Sequence, residues 1–241
     1  MNYLIRLSFV GTAYCGWQMQ KNGPSVQEQV MNAVKQTFGS VERFAGCSRT
    51  DSGVHATDYC VSFTVPGNIP CDKLPDALNA RLPRDITVFS AVNVSDDFHA
   101  RYSVKRKTYC YFIDPHRHPT SFWANRVWHR PGEYDLPALS AAAEGFVGKY
   151  DFTSFMAAGS KITDAKRTVF SASVDSTPEG WICFSVTADG FLYNMVRIMV
   201  GTLLSDGMTA ERIGQIIAAR DRKAAGMTAP AEGLYLTKVE Y

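Results

Sequence analysis

A chain of 241 residues with 46% hydrophobic and 20% charged side chains buries a sizeable core, as one large domain or two small ones, and is not a disordered polypeptide. A net charge of +2 excludes a globally basic coat, so a nucleic-acid binder of this composition must gather its positive charge on one face. No apolar run approaches a membrane span, and the six cysteines stand without a CxxC spacing, which argues for reduced thiols and against a zinc site. The chain enters strand periodicity from Tyr3 with no basic n-region or cleavage site before it, so the expected compartment is the cytoplasm.

In chain order, the alternation Tyr3, Ile5, Leu7, Phe9 predicts a strand. Ser25 followed by Glu28 is a capping box, opening a helix whose apolar face is Val26, Val30, Ala33, Val34 and Phe38. A strand near Val41–Ala45 runs into the polar, Gly-bracketed stretch Gly46–Ala56, and Tyr59, Val61, Phe63 and Val65 mark the strand that leaves it. A helix is expected from Asp72, with Leu74, Leu78 and Leu82 inward, then a strand over Ile86–Val94.

From Lys105 the order repeats. A strand runs to Ile113, Asp135 caps a helix carrying Leu139, Ala142, Ala143 and Phe146, and Thr168–Val174 pairs with Trp181–Val186 around a Pro178–Gly180 turn. Phe191–Leu204 and Ala210–Ala219 are predicted helices and Leu234–Glu240 a final strand. Each half reads βαββαβ, the second with one extra helix. The expected fold is therefore α+β: two ferredoxin-like halves, residues 1–104 and 105–241, whose antiparallel sheets join around a central cleft with helices on one face. Neither half is strongly basic, the first holding 9 basic and 9 acidic residues and the second 16 and 14.

The chemistry is narrowed by what is missing. There is no GxGxxG after a strand, no GxSxG and no HExxH, and Gly145–Tyr150 is two residues short of a phosphate loop. His116 and His118 lack a second ligand cluster, so a surface loop is expected there and no metal site. An enzyme of this sequence is expected to work without metal or organic cofactor.

Within the Gly46–Ala56 stretch, Asp51 stands among Arg49, Thr50 and Ser52, donors that favour a persistently ionised carboxylate. It could serve as nucleophile, general acid/base or charge stabiliser, or simply bond its own backbone. Arg197 is a lone cation in an apolar helix and needs either a carboxylate partner, for which Asp51 is a candidate, or a route to solvent. Tyr109, on a strand beside Lys105, Arg106 and Lys107, suits a surface that stacks a base and holds phosphate, although core aromatics after a basic turn look the same. Arg101-Tyr102 and Arg220-Asp221-Arg222-Lys223 add candidate phosphate contacts. A carboxylate-dependent glycoside hydrolase would need a second acid, and the neighbourhood of Asp51 offers only Asp58.

Arg49-Thr50-Asp51-Ser52-Gly53-Val54-His55-Ala56 resembles the catalytic motif of the TruA family of tRNA pseudouridine synthases. The resemblance extends through Gly11–Gln18, Phe98–Ser103, Arg106–Tyr111, Gly148–Phe155, Asn194–Arg197 and Ala225–Leu236, in that order. It implies that Asp51 is the catalytic aspartate, acting as nucleophile, that Tyr109 stacks on the target base and that Arg197 pairs with Asp51. It further implies that Arg49 helps extrude the nucleotide, that Leu234 lines the pocket, and that Lys107 and Arg101 belong to the substrate-binding surface. The implied substrate is uridine at positions 38, 39 or 40 of the tRNA anticodon stem-loop, and the implied assembly is a homodimer. A non-catalytic RNA-binding protein of the same fold is the alternative, since it needs the basic and aromatic residues but not Asp51. The family usually has Gly where this chain has Ser48 and Ala where it has Ser52, so a strained turn is expected at Ser48 if that glycine relieves one.

Overall fold

The computed structural model describes residues 1–159 and 162–241, and the chain parts into two compact units, residues 1–105 with 235–241 and residues 106–234. Both are α+β.

The first unit carries β1 (Asn2–Phe9), α1 (Val26–Phe38), β2 (Arg43–Gly46), β3 (His55–Thr64), α2 (Leu74–Asn79) and β4 (Ile86–Asn93), in βαββαβ order. β1 lies between β4 and β3 and is antiparallel to both, while β2 is antiparallel to β3. The register sets Tyr3 against Phe63, Ile5 against Val61 and Leu7 against Tyr59, so the large alternating side chains of two strands meet on one face. All six are 0% exposed. Phe38, from the last turn of α1, closes over Tyr3 and Phe63 with ring centroids 5.9 and 6.3 Å away. Burying a side chain of this size stabilises by about 1.5–3 kcal/mol, so this face is the energetic centre of the unit. Ser25 caps α1 by accepting the Glu28 N–H at 3.3 Å, and Gly39 ends it at φ 82°.

The opposite face of this sheet is covered by a segment of successive turns. Residues 95–103 lie over it, with Asn2 Nδ2 donating to the Ser95 carbonyl at 2.6 Å and the Ala100 N–H to Ser62 Oγ at 3.0 Å. The last strand, β10 (Leu234–Glu240), was expected in the second half, yet from Tyr235 onward it belongs to the first unit. β1 fills one edge of β3; on the other edge β2 stops at Val61, and Tyr235 and Leu236 pair parallel with His55 and Ala56 beyond it. Asp58 then accepts the Val239 N–H at 3.2 Å, Arg6 donates to the Val239 carbonyl at 3.1 Å, and the Lys105 N–H donates to the Glu240 carbonyl at 2.8 Å. An unpaired strand edge is what draws the chain terminus back to the first unit.

The second unit carries β5 (Arg106–Asp114), β6 (Trp128–His129), α3 (Leu136–Ala143), β7 (Gly148–Asp151), β8 (Lys166–Ser176), β9 (Ile182–Ala188), α4 (Met195–Leu203) and α5 (Ala210–Ala219). Its strands run β5-β9-β8-β7, each antiparallel to the next, and the two-residue β6 pairs parallel with the end of β5. Tyr109, Tyr111, Phe184 and Val186 form its buried face, where Phe146 meets Phe184 edge-on at 6.2 Å. Asp135 caps α3 by accepting the Ala138 N–H at 3.0 Å.

Three local expectations differ from the structure. α2 starts at Leu74 rather than Asp72, because Asp72 makes no capping bond to it. β7 carries no alternation that would reveal it, since both Lys149 and Tyr150 are exposed. α4 starts at Met195, four residues later than the apolar pattern suggests, because Asn194 takes the left-handed conformation, φ 59° and ψ 11°, and interrupts the helix.

Candidate active site

In the first unit the segment between β2 and β3 is a turn built around Asp51. The Val54 N–H donates to the Asp51 carbonyl at 3.2 Å, and Gly53 at the third position of that turn has φ 80°. A side chain there would be strained, which is the reason for Gly53. The loop after β1 pins this turn. The Trp17 N–H donates to the Thr50 carbonyl at 3.1 Å, Ser52 Oγ donates to the Tyr14 carbonyl at 3.2 Å, and the Gly11 N–H donates to His55 Nδ1 at 2.9 Å. Tyr14 is held in turn by Asp85, its hydroxyl donating at 2.7 Å, and burial followed by that carboxylate raises the phenol above its ordinary value.

His55 is 0% exposed and stacks on Tyr235 with centroids 4.6 Å apart. Because its Nδ1 accepts an N–H, that nitrogen is unprotonated and the ring is neutral. Asp51 is therefore half-buried on a backbone fixed from both sides, with exposed Arg49 two residues before it. The Thr50 hydroxyl beside it is buried with no partner among the described residues. Ser48 keeps a negative φ, so the expected strain is absent, and its carbonyl accepts from the Tyr59 hydroxyl. Ser52 uses its extra hydroxyl on Tyr14. Arg101, also in this unit, is exposed with its guanidinium 5.7 Å from the Tyr102 ring. Asp58, the second acid weighed for a hydrolase, is engaged by Arg6 at 2.5 Å.

The other expected residues lie in the second unit. Tyr109 is 5% exposed on β5 and meets Phe191 edge-on at 5.0 Å and 82°. Lys107 is half-buried two residues earlier on the same face, and Leu234 is buried just after the turn Ala231–Gly233. Arg197 sits in the first turn of α4, half-buried rather than running out to solvent. Its Nε donates to the Ala229 carbonyl at 2.7 Å, one terminal nitrogen donates to Asn194 Oδ1 at 2.8 Å, and its own carbonyl accepts the Ala229 N–H at 3.1 Å.

Residues 225–230 are held against α4 to make this possible. A Cβ on Gly201 would lie 1.9 Å from the Met227 carbonyl oxygen, so only glycine allows the approach. The Gly226 N–H donates to Thr202 Oγ1 at 2.8 Å, and Arg222 donates to the Gly226 carbonyl at 2.9 Å and to Thr228 Oγ1 at 3.2 Å. The Tyr111 hydroxyl donates to the Pro230 carbonyl at 2.6 Å, and burial raises that phenol although the Arg197 charge opposes it. Asn194, His55 and the Ala229 carbonyl were not singled out as site residues from sequence; the Asn194 to Arg197 spacing of three was the available signal for the first. Among the described residues no three His, Cys, Asp or Glu side chains gather as a metal site would require, and no helix is long and apolar enough to cross a membrane.

A family model described as tRNA pseudouridine synthase matches residues 6–103 and 142–241. The tRNA pseudouridine synthase A of Moorella thermoacetica is 46% identical over 242 residues, 98% of each chain. That of Thermoanaerobacter sp. (strain X514) is 42% identical over 243 residues, all of this chain and 99% of its own. Among solved structures, the archaeal box H/ACA sRNP Nop10-Cbf5 complex aligns at 13% identity and a TM-score of 0.40, over 97% of this chain and 47% of that one. The chain belongs to the tRNA pseudouridine synthase family, isomerases that convert uridine to pseudouridine.

Proposed function

We propose that this protein isomerises uridine to pseudouridine at positions 38, 39 or 40 of the tRNA anticodon stem-loop, with Asp51 as the catalytic aspartate. The observation that carries this reading is the turn Asp51–Val54, whose backbone is pinned by Trp17, Tyr14 and Gly11 so that one carboxylate is presented in a fixed direction. Preorganisation of that kind is what a group acting at a single bond requires. The reaction breaks N1–C1′, turns the uracil and forms C5–C1′, with the proton leaving C5 and N1 ending protonated. No net oxidation or hydrolysis occurs, so side chains suffice for it.

The uridine must first leave its stack, which costs a few kcal/mol and favours loops and stem ends as substrates. In this reading Arg49 helps extrude it, Tyr109 holds the uracil while it turns, Leu234 lines the pocket, and Lys107 and Arg101 contact the RNA backbone. Arg197 is the counter-ion of Asp51 and keeps it ionised. The enzyme acts in the cytoplasm as a homodimer, and a monomeric mass in solution would contradict that last point.

The test is a position-resolved pseudouridine map of tRNA incubated with purified protein. Wild type forms pseudouridine at positions 38–40, while Asp51→Asn and Asp51→Ala keep the melting temperature and tRNA binding but form none. Near-normal activity in either variant would overturn the role of Asp51, and modification elsewhere would overturn the assigned positions.

A further inference from the structure

We propose that Asn194 is a positioning residue for Arg197, governing turnover through the placement of the guanidinium without itself touching substrate. The inference rests on the reading of Arg197 as the partner of Asp51.

Asn194 stands at a helix N-terminus without capping it. Ser25, Asp135 and Thr209 precede α1, α3 and α5 with extended backbones, φ −127°, −79° and −134°, and each side chain accepts a backbone N–H of its helix. That is the ordinary use of an N-cap residue. Asn194 precedes α4 with φ 59° and makes no such bond. Its Oδ1 accepts from the Arg197 side chain at 2.8 Å instead.

The Ala229 carbonyl accepts from Nε of the same guanidinium at 2.7 Å. Anchors on two different nitrogens of a planar group fix both its position and its rotation. Both acceptors are neutral, so they orient the cation without cancelling its charge. Asn194 is also one of the few residue types that adopts the left-handed region readily, so one residue supplies both the backbone reversal and the acceptor.

Glycine separates these two contributions. Asn194→Gly tolerates φ 59° and loses only the acceptor. Its melting temperature is expected to stay near wild type, its KM for tRNA to hold, and its kcat to fall about 10- to 100-fold, the scale for loss of a group that orients a catalytic one. Asn194→Asp keeps both the acceptor and the left-handed preference but sets a carboxylate on the guanidinium, so it is expected to recover only part of that loss. In an Arg197→Lys background the glycine substitution should add little, because its effect passes through the guanidinium.

Asn194→Gly with wild-type kcat would overturn the proposal, as would losses that multiply in the Asn194→Gly/Arg197→Lys double variant. Should Asn194→Gly melt early, the double-variant comparison decides at a temperature where all the variants are folded: losses that do not multiply support the role, and losses that multiply refute it. Failure of the underlying reading looks different, since Arg197→Met would then itself turn over normally.

Discussion

At Arg197 the helix opposes the residue it carries. The first turn of α4 lies at the positive end of the helix dipole, which disfavours a cation there by some tenths of a kcal/mol to about 1 kcal/mol. The bonds to Asn194 and Ala229 engage two of the guanidinium's three nitrogens, and the position is one that a carboxylate improves. Arg197→Met should therefore be tolerated by the fold, changing stability by about 1 kcal/mol or less, because a desolvated charge is removed along with its hydrogen bonds. On the proposed pairing with Asp51, turnover should fall by about 10²- to 10³-fold in this variant. Single-turnover kinetics beside thermal melts separate the two effects, and a Met variant that turns over at the wild-type rate would refute the pairing.

At the scale of elements, the contact of α4 with residues 225–230 is set by two glycines at close approach. Gly201→Ala forces a methyl to 1.9 Å from the Met227 carbonyl oxygen, so helix and loop must separate. The expected loss is about 1–3 kcal/mol, as for other overpacked sites. Since the Ala229 carbonyl moves with the loop, turnover should drop as well. Gly214, inside α5, is the internal control, because a Cβ there meets nothing within 4 Å. Gly214→Ala should raise stability by up to about 1 kcal/mol through helix propensity alone. Melting temperatures moving in opposite directions, by about 2–4 °C per kcal/mol for a chain of this size, are the expected result. A Gly201→Ala variant as stable as wild type would show that the loop yields without cost.

Across the molecule, burial holds several thiols and phenols in their protonated form. Burial, then Cys47, pushes the Cys60 thiol from 9.0 up to about 12. Burial likewise raises Tyr14, Tyr111 and Tyr241 above 10.0, with Asp85 adding to the first and the neighbouring cysteines to the last. For each group the folded value exceeds the unfolded one, so the stability it contributes is complete below the unfolded value and is lost as pH rises through the folded one. Melting temperature should hold from neutrality to about pH 9 and decline steadily above it. Cys60→Ala should soften the decline between 9 and about 12, the range the thiol spans. A melting temperature flat to pH 11 would rule this out.

Periodicity was enough to locate the βαββαβ order of the first unit and most elements of the second, because a half-buried strand or amphipathic helix writes its exposed face into the residue pattern. Asp51, Tyr109 and Arg197 stand out in the sequence as candidates, through a polar Gly-bracketed stretch, an aromatic beside a basic run and a lone cation in an apolar helix. The start of α4 was not legible, because Phe191 and Leu192 extend the apolar pattern across a left-handed Asn194 that only backbone geometry reveals. Nor was the return of β10 to β3, since a strand's own pattern records that one face is buried and not which edge it pairs with. The supports of the site, Gly11 on His55, Trp17 on Thr50 and Asn194 and Ala229 on Arg197, are mostly backbone bonds between distant segments. Every residue carries the same N–H and C=O, proline's missing N–H aside, so residue identity marked the candidate groups, and tertiary structure alone decided what holds them still.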